Sequence, residues 1–143
     1  MKSKSKLAWT LFAIMTLAVI ILSSILIYNI VKWKSGDELL GFDVDDVQSV
    51  HLRHYITATS ELEIRDYDLT DEQIEYVVTE FRRSKFERTY EGAYNGKTVL
   101  TFTLEDGRKR EFYTIDGIFY IDGKMYLCNS YLGRYIVHFG FGE

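Results

Sequence analysis

Leu69-Thr-Asp-Glu-Gln-Ile-Glu-Tyr-Val-Val-Thr-Glu-Phe-Arg-Arg-Ser-Lys85 decides the fold class. It is the one clear amphipathic helix in a stretch of chain that otherwise reads as strands. Thr70 and Gln73 stand at the spacing of a capping box, in which the hydroxyl and the amide each satisfy a backbone N–H that the first helical turn leaves open. Leu69 before the cap and Ile74 after it can close a hydrophobic staple. Ile74, Val77, Val78 and Phe81 recur at i, i+3, i+4 and i+7, which is one helical face. Asp71, Glu72 and Glu75 lie toward the positive end of the helix dipole, and Arg82, Arg83 and Lys85 toward the negative end. Propensity, pattern and charge agree on a helix that lays one apolar stripe on a sheet.

Upstream, Val47 to Ile56 (VQSVHLRHYI) alternates. Val50, Leu52, His54 and Ile56 share one face, and His51, Arg53 and Tyr55 the other. Thr57 to Ser60 reads as a turn, and Glu61 to Asp66 as a second strand with Leu62 and Ile64 inward, which together make a hairpin. Downstream, Phe86–Tyr94, Thr98–Leu104, Arg110–Ile115, Ile118–Ile121 and Lys124–Cys128 are separated by Asn95-Gly96, Asp106-Gly107, Asp116-Gly117 and Asp122-Gly123. Such pairs favour tight hairpin turns, because both residues tolerate positive φ. Ser130 to Phe139 fits either a short helix carrying Leu132, Tyr135, Ile136 and Phe139, with Gly133 against it, or a last edge strand. The order β-β-α-β-β-β-β-β plus a short element predicts an antiparallel meander with one amphipathic helix on one face, a two-layer α+β domain.

Toward the N-terminus, Leu7 to Val31 is 25 residues without a charge. As a helix it spans about 37 Å against a hydrocarbon core of about 30 Å. Trp9 at one end and Tyr28 and Trp33 at the other match interfacial aromatic belts. The apolar run exceeds a cleavable signal peptide, no small-x-small site follows it cleanly, and no Cys follows it for lipoprotein processing. The reading is a single-pass signal anchor. Lys2, Lys4 and Lys6 precede it and Lys32 and Lys34 follow, a bias toward a cytoplasmic N-terminus with the C-terminal domain outside the cell membrane. The expected organisation is residues 1–6 as a basic cytoplasmic head, 7–31 as the transmembrane signal anchor, 32–38 as a juxtamembrane joint and 39–143 as the extracytoplasmic domain. The layout is similar to that of small anchored extracytoplasmic domains of Gram-positive bacteria, which implies a place in a bacterial cell envelope.

Charge is divided along the chain. The first 34 residues carry five Lys and no acid; the rest carries 12 basic and 21 acidic residues, a net charge of −9. So acidic a domain is repelled by phosphate backbones, which argues against nucleic acid and toward a basic protein surface as partner. The single Cys128 forms no intramolecular disulfide and reads as a small buried hydrophobe.

His51 and His54 are three apart on a strand and point to opposite faces, so they do not share a metal ion. His138 stands alone, and Asp43, Asp45 and Asp46 read as a solvated acidic cluster. The spacing of Asp66, Asp68 and Asp71 distantly resembles a calcium loop but lacks the sixth-position glycine. Neither a nucleophile elbow nor a phosphate-binding loop occurs. The expectation is a non-enzyme without cofactor, metal or identified small-molecule substrate. Its partners are the lipid bilayer, through the anchor, and another membrane or envelope protein. Inhibitor, immunity factor or regulatory subunit fit that role; the alternative is a structural subunit of an envelope assembly such as a secretion or conjugation system. Tyr90, Tyr94, Tyr113, Tyr120, Tyr126 and Tyr131 are the contact candidates, on a sheet face left open opposite the helix.

Overall fold

A computed structural model describes residues 2–56, 62–89, 98–115 and 117–139. The chain divides into two compact units, Met1–Lys32 and Trp33–Glu143. The first is a single helix, α1 (Lys2–Lys32), within which Lys6–Lys32 is long and apolar enough to cross a membrane. Thr10, Thr16 and Ser24 turn their hydroxyls back to the carbonyls four residues earlier, so these polar side chains are satisfied within the helix itself.

The second unit is α+β. Its elements are β1 (Trp33–Ser35), α2 (Gly36–Leu40), a 3₁₀ turn (Val44–Asp46), β2 (Val47–Ile56), β3 (Glu63–Asp68), α3 (Asp71–Arg83), β4 (Lys85–Thr89), β5 (Thr98–Leu104), β6 (Lys109–Ile115), β7 (Ile118–Ile121), β8 (Lys124–Cys128) and α4 (Leu132–Phe139). The eight strands form one sheet in the order β1-β4-β8-β7-β6-β5-β2-β3, and every neighbouring pair is antiparallel.

α3 forms as its sequence demands. Thr70 Oγ1 accepts from the Gln73 amide and Gln73 Oε1 accepts from the Thr70 N–H, closing the capping box. Ile74, Val77, Val78 and Phe81 are all buried, as is Leu69. Phe81 sits among Phe86, Phe112 and Phe119 with ring centroids 4.7, 5.3 and 5.6 Å away, a stack of offset and edge-on aromatic contacts at the centre of the core. Because neighbouring strands alternate in direction, β3 and β4 run the same way six spacings apart, about 29 Å. α3, a 13-residue helix about 20 Å long, makes the connection from β3 to β4.

Several expectations are corrected. The segment read as a polar joint is structured: Trp33–Ser35 is an edge strand paired with β4, and Gly36–Leu40 is a helix capped by Ser35 and closed by Gly41 at φ 72°. Gly36 is buried against α3, where a Cβ would lie 1.5 Å from the Phe81 carbonyl oxygen. The helical layer therefore holds α2 and α4 beside α3, instead of one helix. α4 resolves the ambiguous tail as a helix with Leu132 and Ile136 buried. Gly133, which counted against a helix, lies where α4 comes close to Gly117 and Thr114: a Cβ would meet their atoms at a tight 3.1 to 3.3 Å.

The second strand runs Glu63–Asp68, and its phase is the reverse of the expected one. His51 pairs with Asp68 and Leu52 with Tyr67, so Tyr67 faces the core and Ile64 stands opposite Tyr55 on the outer side. Leu62 and Ile64 are 59% and 49% exposed. The expected turn before it lies outside the described residues.

The meander holds for β5 to β8 only. β4 and β5 are not a hairpin; β8, β7 and β6 lie between them. Asn95-Gly96 lies outside the described residues, as does Asp116. Asp122 and Gly123, at φ 49° and 75°, make the tight turn expected. The β5–β6 turn is a three-residue loop, in which the Leu104 N–H donates to the Arg108 carbonyl and Gly107 alone takes positive φ among its residues.

Candidate functional site

α2, α3 and α4 all pack on the face that carries Val50, Leu52, Leu100, Phe102, Phe112, Phe119 and Tyr126. The opposite face, called outer here, carries no described helix of this unit. Among the described residues it carries a groove along β5, of about 340 Å³, lined by His51, Arg53, Tyr55, Val99, Thr101, Thr103, Lys109, Glu111 and Tyr113.

The groove follows from side-chain length and register. β5 sits between β2 and β6, with His51 opposite Thr101 and Arg53 opposite Val99 on one side, and Glu111, Tyr113 and Lys109 opposite Thr101, Val99 and Thr103 on the other. Val99, Thr101 and Thr103 are short and form the floor; the long residues of β2 and β6 form the walls. The walls stand two strand spacings apart, about 10 Å.

The two walls differ in chemistry. On the β2 side, Arg53 forks onto Asp66, with Nε 2.7 Å from Oδ1 and Nη2 3.3 Å from Oδ2. His51 Nδ1 lies 2.7 Å from Asp68 Oδ1 and Nε2 lies 3.0 Å from Asp66 Oδ1. The Arg53 hydrogen bond, then that of His51, holds the Asp66 carboxyl below its ordinary value, and the Asp68 hydrogen bond holds the His51 imidazole above its own. On the β6 side, the Tyr113 hydroxyl donates to Glu111 at 2.8 Å, which raises the phenol. Tyr113 also stands edge-on to Tyr120, with centroids 6.2 Å apart.

The residues singled out in the sequence separate into those in the groove and those elsewhere. His51 and His54 do point to opposite faces; His54 is half-buried and within hydrogen-bonding reach of the Thr98 hydroxyl. Tyr113 and Tyr120 are on the outer face. Tyr126 is a correction: it pairs with Phe119, points into the core and is 4% exposed. Tyr131 is exposed where β8 leads into α4, and Tyr90 and Tyr94 lie outside the described residues. His138 is exposed on α4. Cys128 is buried with its Sγ 3.2 Å from the Ser130 hydroxyl. Asp43 and Asp46 close a capping box on the 3₁₀ turn, which gives the first acidic cluster a structural role. Asp71 and Glu72 begin α3, away from the Asp66 and Asp68 that face His51, so the calcium-like spacing does not converge. Among the described residues no group of three or more His, Cys, Asp or Glu is placed to hold a metal ion.

The sequence reading missed the groove. Its only local signal was the run of short residues at alternate positions of β5, and that acquires meaning only once β2 and β6 are known to flank it. Compared with family models, curated proteins and solved structures, the chain matches none.

Proposed function

We propose that this protein is a membrane-anchored extracytoplasmic binding module that engages another membrane or envelope protein through the β5 groove. It would act as an inhibitor, immunity factor or regulatory subunit. The observation that carries the reading is the groove itself. It is an open channel on the helix-free face, wide enough for one extended segment, with an apolar-to-hydroxylic floor and walls that supply cations, a carboxylate and tyrosines. Tyr and Arg at the edge of such a channel provide large contact area and directional hydrogen bonds.

The anchor supports the same reading. Within Lys6–Lys32, the 25 uncharged residues Leu7 to Val31 are exposed around the whole helix circumference, an arrangement that water disfavours and hydrocarbon favours. Tethering confines the domain near partners in the same membrane, so a modest interface suffices. The net charge of −9 over residues 35–143 favours encounter with a basic surface.

The test is site-specific photo-crosslinking in cells from the full chain. A crosslinker at Lys109, on the groove rim, is expected to capture one discrete envelope or membrane protein. The same group at Glu72, on the exposed side of α3, is expected to capture none. Thr101→Trp, which fills the groove floor, is expected to abolish the Lys109 adduct while leaving thermal unfolding near that of the parent. Adducts from Glu72 but not Lys109, or adducts that survive Thr101→Trp, would overturn the assignment to the groove.

A further inference from the structure

We propose that His51, held between Asp66 and Asp68, is a proton-controlled clamp that fastens the edge strand β3 to β2 and sets the charge of one groove wall. Both ring nitrogens face carboxylate oxygens, at 2.7 Å for Nδ1 and 3.0 Å for Nε2. A carboxylate only accepts hydrogen bonds, so both contacts are satisfied only when both nitrogens carry protons. The geometry is that of an imidazolium. Loss of one proton leaves a ring lone pair facing a carboxylate oxygen.

The neighbours determine which contact gives way. Arg53 holds Asp66 through two nitrogens at any pH near neutrality, so Asp66 keeps a partner. Among the described residues the exposed Asp68 has no comparable fork, so the last ring proton serves Asp68 at the shorter contact and the Asp66 contact gives way. Across the floor, β5 presents the neutral Thr101 and Thr103, while β6 presents Lys109 and Glu111. Of all these groups, His51 is the one whose ordinary titration falls between pH 5 and 8. The Asp68 hydrogen bond, opposed by partial burial and assisted by Asp66, raises its titration above the ordinary 6.5. A raised histidine stabilises fully below its unfolded value, and that contribution is lost as pH rises through the raised folded value. β3 is the last strand of the sheet and pairs with β2 alone, so it can loosen without opening the core.

Deprotonation therefore removes a positive charge from the groove wall and breaks one of the two side-chain ties that His51 makes from β2 to β3. The effect on partner capture rests on the function proposed above; the clamp itself does not.

The experiment uses the full chain in detergent micelles, without partner. Imidazole ¹⁵N spectra, assigned with His51→Gln, follow the three histidines with pH, and hydrogen exchange follows the β3 amides after correction for intrinsic base catalysis. His51 is expected to hold both ring protons beyond pH 6.5. Protection of Ile64 to Asp68 is expected to fall about two- to fivefold as His51 deprotonates. His51→Gln is expected to show no such step, and Asp68→Asn to lower the His51 midpoint and shrink the step. A His51 that is neutral below pH 6.5, or β3 protection with the same pH dependence in parent and His51→Gln, would overturn the clamp. Because no partner is present, neither result bears on the crosslinking test.

Discussion

At the scale of single residues, Gly36 is held by space and Gly107 by conformation. A methyl at Gly36 would have to displace the Phe81 carbonyl from 1.5 Å, and that carbonyl is helix backbone with nowhere to go. Gly36→Ala is therefore expected to destabilise the domain by about 3 kcal/mol, at the upper end of overpacking penalties. Gly107 has nothing within 4 Å of a built Cβ, but its φ is 83°. Gly107→Ala is expected to cost about 1 kcal/mol from backbone strain alone. Thermal unfolding of the full chain in one detergent ranks the two, and a Gly36→Ala variant as stable as Gly107→Ala would refute the packing account. Asp66 gives a prediction of sign. Its carboxyl is held low by Arg53 first and His51 second, so its contribution is present above the unfolded value of 3.8 and is lost as pH falls through the lower folded one. Asp66→Asn should unfold at a lower temperature than the parent at pH 6, and the gap should close as the pH drops below 3.8.

At the scale of elements, what the sequence displayed depended on how local the cause was. The start of α3 is specified within a few residues by Thr70 and Gln73, and its buried face by a 3.6-residue period. Both were legible, and the cap makes a quantitative expectation: Thr70→Ala should cost about 1 kcal/mol, read as a shift in denaturant midpoint at unchanged slope. An unchanged midpoint would mean that tertiary packing alone holds the helix end. The phase of β3 was not legible, because Leu62 and Ile64 look like inward residues until Asp66 and Asp68 are seen to answer His51 and Arg53 across the strand pair. The position of β4 was hidden for a related reason. Turn residues such as Asn95-Gly96 describe how the chain can bend and say nothing of which strand it then meets, and β4 meets β8 and β1. The same holds for α4, where Gly133 looked like a helix breaker until its close approach to Gly117 was seen.

At the scale of the whole molecule, the proposed place at a membrane rests on a helix long and apolar enough to span one, and it can be tested directly. Lys6–Lys32 would extend about 40 Å as a straight helix, beyond the roughly 30 Å hydrocarbon core, so it crosses with tilt or carries its ends into the headgroups. Such a segment resists extraction by alkaline carbonate, whereas a peripheral protein is released; release of the full chain would end the membrane reading. The proposed orientation, with the N-terminus inside, rests on three Lys before the span against two after it, a narrow bias. The single native thiol, Cys128, is buried, so an introduced surface cysteine reports with little background. Glu72→Cys, on the exposed side of α3, is expected to react with a membrane-impermeant maleimide on intact cells, and Lys4→Cys only after the membrane is opened. The reverse pattern would put the β5 groove in the cytoplasm. The partner would then have to be sought there, although the groove, its floor of Val99, Thr101 and Thr103, and the His51 clamp would be unchanged.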